Sequence, residues 1–159
     1  MDSNQDDTLT SEKQIKILCG QEYIIPLSVA QTSMLFKNII DDCSQQDDSD
    51  MEIIPLPEYQ VSPYIMPQVI EYMKYIVDIG DEILTEIRQK NEPTFTDFEI
   101  KYFQNITNDQ LFNITKASNY LDIPHLMDIC CLKISNTIKQ CNAPEEIRKA
   151  FIIHQDNVE

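Results

Sequence analysis

Apolar positions alternate with polar ones near the start of the chain and shift to helical spacing further on, so strands come first and helices last. Ile15, Ile17 and Cys19 alternate with Gln14, Lys16 and Leu18, Gly20 supplies a turn, and Tyr23-Ile24-Ile25 resumes β-favouring residues until Pro26. This pattern predicts a β-hairpin. Ser28 is placed to cap a helix carrying Val29, Ser33, Phe36, Ile39 and Ile40, and the acidic run DDCSQQDDSD over 41–50 should end it in a solvated loop. Ile53, Ile54 and Leu56, bounded by Pro55 and Pro57, predict a short edge strand. Ser62-Pro63 looks like a helix start, yet Pro67 follows four residues later. Either the first turn is irregular or the helix of Val69, Ile70, Met73, Ile76 and Val77 begins at Met66-Pro67. From Asp78 to Thr96 the periodicity weakens between Gly80 and Pro93, and EILTEIRQK reads as a mobile insert with local helicity. Lacking the pattern needed to bury area, the 41–50 loop and the 78–96 insert are both expected to be dispensable for folding. Phe98, Tyr102 and Phe103 return to helical spacing, and Thr107 with Gln110 forms a capping box opening the helix that runs through Leu111, Phe112, Ile114 and Ala117 into NYLDI. The order predicts an α+β domain with a helical C-terminal half.

The stretch from Asn119 to Phe151 carries more apolar side chains than one helical face hides. With Asp122 as cap and Pro124 at the first helical position, a helix should run to about Gln140. Met127, Cys131, Ile134 and Ile138 fall at i, i+4, i+7 and i+11, while Leu126, Ile129 and Cys130 point elsewhere. Two surfaces of this helix want to leave water, so one is available to a partner once the other packs on the domain. A short second helix opens at Pro144, has Glu145 and Glu146 in its first turn and Arg148 and Lys149 in its last, and places Ile147 and Phe151 on one side. The bland reading of the same pattern is the closed core of an all-helical subdomain.

Length and charge narrow the field. The 159 residues suit one domain with appendages: a solvated, disordered terminus over 1–12, a body over 13–123 and a helical extension over 124–159. A formal net charge of -15 repels phosphate backbones and anionic bilayers, which argues against nucleic acid or membrane partners. The acidic start lacks a signal-peptide pattern and no apolar run approaches the roughly 20 residues needed to cross a bilayer, so a soluble intracellular protein is expected. Five cysteines, none in a CxxC pair, read as reduced thiols.

Catalytic patterns are missing. Two glycines cannot write a dinucleotide fingerprint or a phosphate loop. His125 and His154 have no metal or triad spacing around them and read as solvated. Acidic pairs such as Asp41-Asp42 lie in a polar loop where desolvation cannot raise a pKa. Cys130 and Cys131 sit mid-helix, where burial keeps a thiol inert, so a cysteine hydrolase or transferase is the weakest of the readings. No cofactor or metal is indicated.

NYLDI (Asn119 to Ile123) and PEEIRKAF (Pro144 to Phe151), joined by a helix of matching length, resemble the Skp-type adaptors, the S-phase-kinase-associated subunits of cullin-based ubiquitin ligases. The likeness extends upstream through QLFNITKAS, more weakly through IPLP at 54–57, and covers about residues 13–153. It implies a BTB/POZ domain with a C-terminal helical extension, no enzymatic activity, residence in cytoplasm and nucleus, and a bridging role between a cullin and F-box proteins. Position by position, it places Asn119 and Tyr120 on the cullin face. It places Met127, Cys131, Ile134, Ile138, Ile147 and Phe151 on the F-box side. It also makes Pro144 a candidate for hydroxylation and glycosylation and admits a weak homodimer of the free chain. The alternative is an elongin-C-like BTB subunit serving another receptor class; that group ends near the NYLDI-equivalent helix, so PEEIRKAF argues against it. Two departures stand out. The sequence ends at Glu159 without tryptophan, whereas the family usually continues with an acidic helix ending near a Trp-Cys pair, so a weaker or altered grip on the F-box is expected. Ala143 replaces the usual Ser or Thr before PEEIRK, removing a cap typically worth about 1 kcal/mol.

Overall fold

The computed structural model describes residues 12–44 and 53–151. The expectations for the terminus before Glu12, for the acidic loop beyond Ser44 and for the tail after Phe151, including His154, lie outside the described residues.

Strands β1 (Gln14–Cys19) and β2 (Gln21–Pro26) form the expected antiparallel hairpin, with Ile15 opposite Ile25 and Ile17 opposite Tyr23. Gly20 turns it at φ 71°, a left-handed conformation, and a Cβ there would meet Pro63 Cβ at 2.7 Å, so the turn needs glycine on both counts. Strand β3 (Ile53–Pro55) adds parallel to β1 at the edge, in the order β2-β1-β3, as its flanking prolines required. Ile15, Ile17 and Cys19 are fully buried beneath the helices, whereas Leu18, Ile24 and Ile53 face out.

Helices cover the sheet and supply most of the core. Ser28 does not cap the first of them. A single turn, α1 (Leu27–Ala30), follows Pro26 without a side-chain cap, and Ser28 instead donates its backbone N–H to Glu12 Oε1. The chain then restarts at Ser33, whose side chain caps α2 (Met34–Cys43) by accepting from the Phe36 amide. A 3₁₀ turn over Pro63–Ile65 precedes α3 (Met66–Ile79), so both readings of the 62–67 segment hold: the first turn is irregular and the α-helix proper starts at Met66.

The insert is packed, contrary to its weak periodicity. Gly80, at φ 96°, separates α3 from α4 (Asp81–Arg88), whose Leu84 is fully buried. Arg88 pairs with the buried carboxylate of Glu99 and donates through Nη1 to the Thr94 carbonyl at 3.0 Å. Glu99 also accepts from Tyr72 Oη at 2.8 Å and from the Thr96 amide at 2.9 Å, completing a capping box at the start of α5 (Asp97–Gln104). Aromatic contacts close the region: Tyr75 stacks on Phe98 at 3.9 Å and Phe95 meets Phe103 edge-on at 5.5 Å. Removing the insert therefore removes core, and the expectation that 78–96 is dispensable is corrected.

Helix α6 (Asn108–Leu121) begins at the Thr107–Gln110 capping box read from the sequence. It ends at Asp122, which adopts φ 53°. That residue closes α6 and does not cap the next helix: α7 (Pro124–Gln140) starts at Pro124 with Ile123 before it and no side-chain cap. Helix α8 (Pro144–Phe151) follows.

Candidate functional site

The two stripes of α7 separate as their spacing requires. Leu126, Ile129 and Cys130 are fully buried against the domain. On the other side Cys131 is exposed, Met127 and Ile134 are half-buried, and Ile138 is 41% exposed. A side chain of that size left wet on a helix whose opposite face is already packed is open apolar surface among the described residues. The four are not equivalent, however. Met127 lies in a shallow groove with Asn119, Asp122, Pro124 and Asp128, its sulfur 3.6 Å from Ser118 Oγ, so it neighbours the residue assigned to the cullin face. Ile138 sits three helical turns further along, roughly 16 Å away at 1.5 Å per residue. Between them Ile134 packs on the core cluster, and Lys133 lies 5.9 Å from the Phe103 ring.

Asn119 is exposed at the end of α6, while Tyr120 is half-buried with its ring against the core. Tyr59 and Tyr64 are also exposed, and the chain around them is tied to α6: Tyr64 Oη accepts from Asn113 Nδ2 at 2.6 Å and Lys116 Nζ donates to the Tyr59 carbonyl. Sequence periodicity gave no signal for this association, which joins residues about fifty positions apart.

Helix α8 docks more closely than two exposed apolar residues would. Ile147 is half-buried, but Phe151 is only 5% exposed, its ring edge-on to Phe112 at 5.1 Å. Asn108 Nδ2 donates to the Ala150 carbonyl beside it. In the isolated chain Phe151 is thus covered by α6, while Ile147 on the same side of α8 stays half-buried. Ala143 offers no side-chain oxygen to cap α8, and the Glu146 carboxylate instead reaches back to accept from the Asn142 amide at 2.6 Å. Pro144 itself is exposed.

The adjacent thiols differ: Cys130 is buried and Cys131 exposed, so the expectation that burial shields both is corrected. Burial pushes the Cys130 thiol up to about 12, with the neighbouring Cys131 adding to the rise and a hydrogen bond from Thr115 opposing it. A thiol held neutral in the fold contributes stability below its ordinary value of 9.0, and that contribution is lost as pH rises from there to about 12. Iodoacetamide at pH 8 should therefore label exposed Cys131 in the native protein and reach Cys130 only after denaturation, as peptide mass mapping would show. Fast stoichiometric native labelling of Cys130 would contradict this.

His125 is not solvated. Its Nε2–H donates to Asp81 Oδ1 at 2.6 Å, its side chain is 13% exposed, and Nδ1 is buried with no hydrogen-bond partner among the described residues. The pair joins α4 to the first turn of α7 across 44 residues of sequence.

Among the described residues, a three-stranded sheet roofed by helices, continued by a helical pair with one partly exposed apolar stripe, defines an interaction domain of BTB/POZ type carrying a C-terminal extension. Residues 18–78 match the family model described as the Skp1 family tetramerisation domain, and 124–159 match the Skp1 family dimerisation domain. The chain is 34% identical over 152 residues to the E3 ubiquitin ligase complex SCF subunit sconC of Arthroderma otae, covering 94% of this chain and 87% of that one. It is 35% identical over 147 residues to the S-phase kinase-associated protein 1 homolog of Tetrahymena thermophila, covering 90% and 84%. Against Suppressor of kinetochore protein 1 of Schizosaccharomyces pombe the identity is 32% over 148 residues, covering 90% and 87%. The chain belongs to the Skp1 family.

Proposed function

We propose that this chain is the adaptor subunit of an SCF-type cullin–RING E3 ubiquitin ligase, holding a cullin at the end of α6 and an F-box receptor along α7 and α8. Relatives that carry the SCF subunit name align over most of their length, which supports the role. The single observation that carries the receptor half is the split of α7 into a fully packed stripe and one that leaves Cys131 and Ile138 exposed. Cys131 and Ile138 are the exposed anchors, Met127 and Ile134 their half-buried neighbours, and Ile147 and Phe151 extend the surface once a receptor meets α8. Polarisable sulfur and aliphatic groups suit a surface that accepts many receptors. Asn119 and Tyr120 form the cullin contact at the end of α6, whereas Ile138 lies near the end of α7.

The protein acts without catalysis of its own and without a nucleic acid or membrane partner. It works in cytoplasm and nucleus, and the free chain dimerises weakly. The exposure of Pro144 leaves it open to hydroxylation and glycosylation.

Separate surfaces make separate predictions. Ile138→Asp should lower F-box affinity at least tenfold while leaving the melting temperature nearly unchanged, since the side chain is 41% exposed in the free protein and a charge would be buried only in the complex. Tyr120→Lys should weaken cullin binding and spare the F-box. Calorimetry with each partner checks both, and loss of both partners from either variant would contradict the assignment of two faces.

A further inference from the structure

The corner between α6 and α7 fixes the direction in which the receptor helix leaves the domain, and it is held from two sides. On one side, Ser33 Oγ donates to the Leu121 carbonyl and the Met34 amide donates to the Asp122 carbonyl at 3.0 Å, so the start of α2 grips the bend made by the left-handed Asp122. On the other side stands α4. Its buried Leu84 and the Arg88–Glu99 pair anchor it to the domain, and its first residue, Asp81, reaches His125 in the first turn of α7. Between the two sides lies a cavity lined by Thr32, Met34, Asp81, Arg88, His125 and Asp128. The first turn of α7 has no side-chain cap of its own, so an external hold there replaces a local one.

We propose that α4 is a brace for the receptor helix, and that the Asp81–His125 pair is the positioning contact through which it orders the first turns of α7. The functional half of this inference rests on the reading of α7 as the receptor surface. Asp81 is 79% exposed at its side chain, so the fold does not depend on burying it, and removing its carboxylate tests the brace without opening the core. A partly exposed pair contributes modestly, and the expected effects are correspondingly small.

In the full chain, Asp81→Ala should accelerate amide exchange at residues 127–131 by about two- to fivefold. His125→Gln should do the same, and the double variant should exchange no faster than the faster single one, because both remove one interaction. Glu82→Ala, which deletes the same charge from the same turn, should leave these amides unchanged. Binding of a purified F-box domain should weaken several-fold in Asp81→Ala and not in Glu82→Ala. Exchange at 127–131 that ignores Asp81→Ala, or that responds equally to Glu82→Ala, overturns the brace. Faster exchange with undiminished affinity for a receptor that binds the wild type overturns its role in positioning. If exchange responds as expected and the F-box domain binds none of the proteins, the brace stands and the receptor reading of α7 fails.

Discussion

Glu99→Ala is expected to destabilise the protein by about 3–5 kcal/mol, because it removes one partner of a buried charge pair and leaves the other without compensation. Glu99 is fully buried and accepts from Tyr72 Oη, from the Thr96 amide and from Arg88. Alanine leaves three donors facing an apolar space beneath α4. Arg88→Ala should cost a similar amount by stranding the carboxylate. The double substitution Arg88→Met, Glu99→Leu should recover much of the loss, since well-packed apolar groups often match a buried pair in stability. Thermal unfolding should show a fall of roughly 10 °C for Glu99→Ala. A midpoint within a degree or two of the wild type would mean that water reaches the site and that the insert is looser than described.

Phe151→Ala is expected to release α8. An eight-residue helix is marginal on its own, so its order depends on docking, and here docking rests on one aromatic side chain that is 5% exposed against Phe112. Truncating a buried phenylalanine removes about 3–5 kcal/mol of such contact, enough to raise amide exchange across residues 146–151 by about a hundredfold or more. The domain core, built from other residues, should melt as before. Unchanged protection in α8 would place the docking energy in Ile147 and the Asn108–Ala150 hydrogen bond instead.

Local signals carried the sequence reading where the physics was local. The Thr107–Gln110 capping box, the proline at position 124 and the alternation of Ile15, Ile17 and Cys19 each specify structure within a few residues, and each element appears where they place it. The split of α7 was legible for the same reason, because helical geometry alone divides Leu126, Ile129 and Cys130 from Cys131 and Ile138. The insert was not. Its burial rests on Leu84, on Phe95 against Phe103 and on an arginine whose partner lies 11 residues away, isolated anchors that periodicity does not register. A signal did exist there, since Thr96 and Glu99 have capping-box spacing and mark a fixed helix start directly after the supposed linker. The misplacement of Asp122 has a different origin. Its carboxylate suits a helix start, but the corner needs a left-handed residue to end α6, and aspartate tolerates that conformation better than most. Contacts such as Asp81–His125 and Phe112–Phe151 join residues distant in sequence, so no reading of spacing contains them.

Adaptor function means that one copy of the chain holds two proteins at once through different surfaces. Sedimentation or light scattering of the full chain mixed with a purified F-box domain and the N-terminal domain of a cullin tests this most directly. A 1:1:1 complex should form only when the chain is present. It should fall to chain plus cullin with Ile138→Asp and to chain plus F-box with Tyr120→Lys. Failure of the F-box domain to enter any complex, with recovery of a receptor carrying a SOCS-type box in its place, would contradict the adaptor reading.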